Sequence, residues 1–203
     1  MDVGPRHVIG RQSMSLCLYL VRHGETEWSL SGRHTSRTDL PLTEQGNQEA
    51  RKLAERLRAA RIVRVFTSPR LRAQQTCALA ELTPVAEIEP ELAEWDYGDY
   101  EGLRSVEIRK RQPGWNLFRD GCPNGETPAQ VSDRADRFIA RLRALDGDVA
   151  LFTHGHFGCV FAARWIELPV FEGRRFLLGT AALCILGFGP NDPEMTIIEL
   201  GNH

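Results

Sequence analysis

Lysine is nearly missing from this chain, which takes almost all of its positive charge from arginine and has lysine only at Lys52 and Lys110. The formal net charge is −2 at pH 7, so there is no excess of positive charge to attract a polyanion. This charge balance favours neither a nucleic-acid partner nor a membrane partner. Any site for an anion must therefore be built locally from a few arginines.

Cysteine pairs and long apolar runs are also missing. The five cysteines form no C-x-x-C pair, which argues against a redox motif or a cysteine-based metal site and favours reduced thiols. The apolar run from Leu16 to Val21 is too short for a membrane span or a signal-peptide core. We therefore expect a cytoplasmic location. Residues 1–15 are polar, and we expect a disordered tail or an extension there, with Met14 as an alternative initiator to Met1.

The patterned part of the chain, residues 16–203, predicts a single domain of the α/β class. Apolar residues make up 42% of the sequence and charged residues 26%, as in ordinary folded domains. Strand-like apolar stretches are predicted at 16–21, 62–67, 148–153, 181–188 and 195–200, and helices at 43–60, 69–83, 128–142 and 156–167. This alternation predicts a three-layer α/β/α sandwich with a mostly parallel central sheet. Residues 87–123 are rich in glycine, tryptophan and acidic side chains, and we interpret them as a long functional segment outside the core, or a lid. We call this segment the excursion.

Histidines and arginines follow three of the predicted strands. Arg22 and His23 come after the first strand, Arg70 and Arg72 after the second, and His154 after the third. Parallel strands share a carboxyl edge, so these side chains are expected to meet in one crevice.

This combination of residue types suits phosphate chemistry. Arginine offers a charged, planar fork of donors that matches phosphate oxygens. Nearby guanidinium groups would lower the pKa of His23 and leave an imidazole nitrogen free to attack phosphorus. The leaving oxygen needs a proton, which a carboxylic acid beside a bound phosphate can supply. Candidate acids in the excursion are Glu91, Glu94 and Glu101.

Four longer strings carry a family resemblance. The chain contains LVRHGET at 20–26, TDLPLTEQG at 38–46, TSPRLRAQQT at 67–76 and the pair His154-Gly155. Through them it resembles the histidine phosphatase superfamily, also called phosphoglycerate mutase-like, over residues 16–200. It looks most similar to the branch of sedoheptulose-bisphosphatase-like enzymes and bacterial acid phosphatases, through EWSLSG at 27–32, EWDYGDYEG at 94–102 and DGCPNGET at 120–127.

The resemblance implies a role for each matching position. His23 falls at the phosphorylated nucleophile and Glu94 at the proton donor. The family holds the transferring phosphoryl group at the positions of Arg22, Arg72 and His154. The substrate-binding residues that it implies are Ser29, Thr35, Trp95, Tyr97 and Gly155. The expected reaction is hydrolysis of a small-molecule phosphomonoester, a sugar phosphate or bisphosphate, through a covalent phosphohistidine, with no metal and no cofactor.

Two departures from the family pattern bear on the substrate. Many relatives have asparagine where this chain has Ser29, so a hydroxyl group replaces a side-chain amide donor at this position. Mutases carry basic residues after the acid–base glutamate, whereas Trp95 and Asp96 follow it here. An acidic residue at this place favours a hydroxylated leaving group over a doubly anionic one.

Several alternatives stay open at this point. The chain could be a phosphoglycerate-type mutase, or a catalytically idle module that binds a phospholigand. Arg70 competes with Arg72, and Glu101 is the alternative acid. His34 and His156 are interpreted as scaffold or surface histidines, and no third ligand accompanies the histidines around Gly155 to suggest zinc. The natural substrate is not determined, and a homo-oligomer is compatible with the sequence.

Overall fold

The computed structural model describes residues 16–82 and 86–199. Its strands are β1 Cys17–Arg22, β2 Ile62–Thr67, β3 Ala86–Ile88, β4 Asp148–Thr153, β5 Leu183–Gly189 and β6 Asp192–Glu199. Its α-helices are α1 Glu27–Ser31, α2 Glu44–Leu57, α3 Leu71–Leu79, α4 Ser105–Arg111, α5 Leu117–Asp120, α6 Pro128–Leu142 and α7 Gly155–Trp165. The predicted extension at 1–15 lies outside the described residues.

The two longest helices begin at side-chain caps that their sequences provide. The hydroxyl of Thr43 accepts a hydrogen bond from the backbone N–H of Gly46 at the start of α2. Thr127 caps α6 in the same way and forms a reciprocal pair with Gln130, while Pro128 occupies the first turn. Such caps satisfy backbone N–H groups that have no partner within the helix.

The six described strands form one sheet in the order β3-β2-β4-β1-β5-β6. The first four of these run parallel to one another, while β5 is antiparallel to β1 and β6 is antiparallel to β5. The sheet is therefore mostly parallel, as the sequence predicts.

Alternate strand residues contribute to two separate cores, one on each face of the sheet. On one face Leu20 and Leu151 pack with Phe138 of α6 and Phe161 of α7. On the other face Val21, Ala150 and Phe152 pack with Leu53 of α2 and Cys77 of α3. Side chains alternate along a strand, so two covered faces make three layers. The prediction of a three-layer α/β/α sandwich is confirmed.

The excursion is more structured than its sequence pattern suggests. Its first residues belong to the edge strand Ala86–Ile88, and the remainder contains α4, α5 and short 3₁₀ turns at Pro90–Leu92 and Gly98–Tyr100. None of these elements exceeds seven residues, too short to show a hydrophobic period. No helix in 16–82 or 86–199 is long and apolar enough to cross a membrane.

Candidate active site

The carboxyl ends of three parallel strands bring the candidate residues together. The backbone N–H of His23, just after β1, donates to the carbonyl of Thr153 at the end of β4, with an N···O distance of 3.0 Å. The N–H of Ser68, just after β2, donates to the carbonyl of Phe152 at 2.9 Å. Residues that follow β1, β2 and β4 therefore emerge at one edge of the sheet.

Two hydrogen bonds define the tautomer of His23. Its Nδ1 lies 2.7 Å from the carbonyl oxygen of Gly24, which can only accept, so Nδ1 carries the proton. The Nε of Arg72 donates to His23 Nε2 at 3.3 Å. Nε2 is therefore the unprotonated nitrogen, the form that attack on phosphorus requires.

The surroundings of His23 hold it in the neutral form. Burial lowers the pKa of His23 well below its ordinary value, and the charges of Arg72 and Arg22 lower it further. The pKa of the neighbouring His154 is lowered for the same reasons, with burial first and Arg72 next. A lowered pKa keeps the imidazole of His23 unprotonated well into the acid range.

Arg72 is completely buried behind His23. Its guanidinium donates to the carbonyl oxygens of Thr35, Ser36 and Thr38 at 2.9, 3.3 and 3.2 Å. These bonds fix the arginine at one position next to the imidazole, so a positive charge is held in place beside the reactive nitrogen.

His154 and Arg22 complete the surroundings of His23. The rings of His23 and His154 lie edge to face with centroids 5.2 Å apart, and His154 Nε2 lies 2.7 Å from the hydroxyl of Ser68. Arg22 donates to the carbonyl of Leu178 at 2.7 Å. Within the described residues, Arg22 Nε and His154 Nδ1 are buried without a hydrogen-bond partner. Phosphate oxygens are suitable acceptors for such groups.

Glu94 lies at the amino terminus of α7. Its Oε1 accepts from the backbone N–H groups of Trp95 and Phe157 at 2.9 and 2.7 Å, and its Oε2 accepts from that of His156 at 3.1 Å. These bonds orient a carboxyl group that is only 6% exposed. Oε2 has one fewer partner than Oε1, so it is the oxygen with capacity to exchange a proton with a ligand.

The other two carboxylate candidates have structural partners. Glu91 pairs with Arg137 and Arg141 on the protein surface at 2.8 and 3.0 Å. The carboxylate of Glu101 accepts from the backbone N–H groups of Ser36 and Thr38. Neither of these two carboxylates lines the cavity that Glu94 reaches.

A cavity of about 330 Å³ opens at this edge of the sheet. Seven of the residues that the sequence singles out line it: Arg22, His23, Ser29, Thr35, Glu94, Tyr97 and Gly155. Arg72 and His154 do not line the cavity, but both contact His23, which does. The cavity thus joins an imidazole with a free nitrogen, fixed positive charge and a carboxyl group.

The side chains expected to bind substrate differ in how they are placed. The hydroxyl of Ser29 is used in the reciprocal cap of α1 with Thr26, and that of Thr35 donates to the carbonyl of Arg33. Trp95 is fully buried, packs edge to face on Phe118 and donates its indole N–H to a backbone carbonyl, so its ring does not line the cavity. The bulk of the tryptophan ring is used in the core.

Some cavity residues were not identified from the sequence. His34 and His156, interpreted as scaffold or surface, both line the cavity, and His156 had one signal, its place two residues after His154. Further lining residues come from separate segments with no local motif: Arg33, Ser105, Phe118, Arg174, Phe176 and Leu178. In 16–82 and 86–199, no three metal-ligating side chains cluster so as to hold a metal ion.

The family assignment follows from comparison with known proteins. The model of the histidine phosphatase superfamily (branch 1) matches residues 18–200 of the chain. The chain therefore belongs to this superfamily, and the resemblance read from its motifs is confirmed.

Individual relatives narrow the class. The chain is 43% identical over 190 residues to an acid phosphatase of Mycobacterium tuberculosis, covering 92% of this chain and 93% of that one. It is 40% identical over 184 residues to a sedoheptulose 1,7-bisphosphatase of Saccharomyces cerevisiae, covering 74% and 68%. A solved structure of an open reading frame from M. tuberculosis superposes with a TM-score of 0.83 at 41% identity, covering 92% of this chain and 98% of that one. The chain is accordingly a phosphomonoesterase.

Proposed function

We propose that this phosphatase hydrolyses a small sugar phosphate or sugar bisphosphate through a covalent phosphohistidine on His23. The observation that carries the proposal is the pair of hydrogen bonds that leaves His23 Nε2 unprotonated beside the Arg72 guanidinium. The similarity to the yeast sedoheptulose 1,7-bisphosphatase, which acts on a sugar bisphosphate, supports the substrate class.

The first step transfers the phosphoryl group to the enzyme. His23 Nε2 attacks phosphorus and a P–N bond forms while the P–O bond to the sugar breaks. The leaving oxygen takes the proton of Glu94, which becomes a carboxylate. Arg22, Arg72 and His154 would stabilise the charge on the transferring group.

The second step returns the enzyme to its starting state. Water attacks the phosphohistidine, its proton passes to the Glu94 carboxylate, and the P–N bond breaks to release inorganic phosphate. The proton balance closes because Glu94 gives one proton in the first step and regains it in the second.

The test is phosphate release from a panel of sugar phosphates, sugar bisphosphates and phosphoglycerates. His23→Ala should abolish release and also abolish labelling of the protein by a ³²P-labelled substrate in rapid-quench samples. Glu94→Gln should lower turnover by at least about a hundredfold, since it loses general acid–base catalysis. The matched control, Glu55→Gln on the exposed surface of α2, should leave turnover unchanged.

Other outcomes would identify the alternatives. Transfer of the labelled phosphoryl group to a second sugar phosphate or phosphoglycerate, in place of release, would indicate a mutase. Tight ligand binding with no labelled intermediate in the wild type would indicate an idle binding module.

A cytoplasmic location is part of this proposal. The five cysteines, all within the described residues, are unpaired. Thiols that stay reduced are typical of a reducing compartment. Fractionation of cells that produce the protein tests this expectation, and recovery in a secreted fraction would contradict it.

A further inference from the structure

Four polar side chains form one side of the cavity next to Glu94. They are His34, Tyr97, Ser105 and His156, and we call them the imidazole wall. They come from three separate parts of the chain, the segment after α1, the excursion and the start of α7. The reaction proposed above assigns none of them a role.

The imidazole wall is held together by its own hydrogen bonds. The hydroxyl of Tyr97 lies 2.6 Å from His156 Nδ1, and the hydroxyl of Ser105 lies 3.2 Å from His34 Nε2. The His34 ring packs against both neighbours, with centroids 4.6 Å from Tyr97 and 5.5 Å from His156. Each imidazole is thus fixed through one nitrogen.

The second nitrogen of each imidazole is available to a ligand. Among the described residues, His34 Nδ1 and His156 Nε2 have no hydrogen-bond partner. Neither atom is among the fully buried polar atoms that lack a partner. Both residues line the cavity. A neutral imidazole nitrogen donates or accepts one hydrogen bond, as its tautomer allows.

The imidazole wall is neutral at pH 7. Burial lowers the pKa of His34 to about 3 and that of His156 to about 4. Burial also raises the pKa of Tyr97 well above its ordinary value, so its hydroxyl keeps its proton. Neutral groups that both donate and accept match the hydrogen-bonding pattern of hydroxyl groups.

The imidazole wall adjoins the place of the leaving group. The backbone N–H of His156 donates to Glu94 Oε2, the carboxyl oxygen with the fewer hydrogen-bond partners, at 3.1 Å. If Glu94 protonates the leaving oxygen, as proposed above, the carbon bonded to that oxygen and the carbons next to it lie near His156.

We infer that the imidazole wall binds hydroxyl groups of the leaving sugar, with His156 Nε2 as a specificity-determining contact and Tyr97 as the residue that positions it. This inference rests on the proposed function. The substrate class that it assigns is a phosphomonoester with hydroxyl groups on the carbons nearest the scissile bond.

The test compares two substrates with the same length of carbon chain, ribitol 5-phosphate and pentyl phosphate. Loss of one hydrogen bond should lower kcat/KM of His156→Phe for ribitol 5-phosphate about tenfold. The loss for pentyl phosphate, which has no hydroxyl group on its carbon chain, should be at least about threefold smaller than the loss for ribitol 5-phosphate, so the preference for the hydroxylated substrate should fall. Tyr97→Phe should show a smaller loss of the same kind, and His156→Gln, which keeps a donor and an acceptor, should recover part of the preference.

Each outcome separates the inference from the proposed function. Equal losses on both substrates would mean that His156 is only scaffold and would overturn the inference, while His23-dependent phosphate release would leave the proposed function intact. A wild type without preference for the hydroxylated substrate would overturn it as well. A wild type that releases no phosphate from either substrate or from the wider panel would remove the proposed function and the inference together.

Discussion

At the scale of single residues, Gly155 lies where any side chain would press on Arg22. A β-carbon at Gly155 would be 3.2 Å from Cζ of Arg22 and 3.3 Å from its Nε. We predict that Gly155→Ala lowers kcat/KM about tenfold or more, because a displaced guanidinium no longer fits the phosphoryl group. Stability should change by less than about 1 kcal/mol, since alanine is a better helix former than glycine at the start of α7.

Steady-state kinetics and thermal unfolding of Gly155→Ala separate these two effects. Gly187→Ala is the matched control, because a β-carbon there meets no atom within 4 Å. Equal activities of the two variants would show that Arg22 tolerates the added methyl group.

At the scale of elements, the first turn of α2 presses against the loop that follows β1. A β-carbon at Gly46 would lie 2.2 Å from the carbonyl oxygen of Glu25, and one at Gly24 would lie 2.5 Å from that of Gly46. The two backbones therefore touch directly beside His23. We predict that Gly46→Ala costs about 1–3 kcal/mol of stability and also lowers kcat/KM, because the loop that carries His23 must move.

Denaturant unfolding and kinetics of Gly46→Ala check this prediction. Gln48→Ala is the control, since Gln48 is an exposed residue of the same helix. Full activity and unchanged stability of Gly46→Ala would show that the helix can shift without disturbing the loop.

The start of α7 contacts both the proposed acid, Glu94, and the proposed phosphate ligand Arg22. His154 directly precedes the first residue of this helix, Gly155 allows Arg22 to approach, and the N–H groups of His156 and Phe157 hold Glu94. The partial positive charge at a helix amino terminus favours anions, here a carboxylate and a phosphoryl group. One helix end therefore places the proposed acid and the proposed phosphate ligands relative to each other.

At the scale of the whole molecule, the buried histidines couple stability to pH. The pKa of His34 is lowered to about 3 and that of His156 to about 4, and the pKa values of His23 and His154 are lowered too. The unfolded chain binds protons on these groups below about pH 6.5, whereas the folded chain does not. We predict that the free energy of unfolding falls as pH drops from 6.5 toward 4.5, by up to about 1.4 kcal/mol per pH unit for each such group.

Denaturant unfolding at several pH values between 7.5 and 4.5 measures this decline. The lowered carboxyl pKa of Glu107, about 2, acts mainly below about pH 4.5, where the unfolded carboxyl group takes up its proton. The double variant His34→Gln with His156→Gln should show a shallower decline. A free energy of unfolding that stays constant from pH 7 to pH 5 would contradict the prediction.

Local patterns were enough to predict the layers and the edge of the sheet that carries the site. The apolar runs of β1, β2 and β4 are each followed by histidine or arginine. The caps at Thr43 and Thr127 mark the starts of two helices. Parallel strands must deliver such residues to one edge, so His23 and His154 could be placed together from sequence.

The amino-acid sequence by itself therefore determined the α/β class, the family and the residues that follow the parallel strands, because each depends on a contiguous motif. Tertiary structure alone decided that the Trp95 ring is buried in the core and does not line the cavity. It also decided that His34 meets His156 across 122 positions of chain. Neither outcome has a local signal, since packing between distant segments chooses which side chains are buried and which face a cavity.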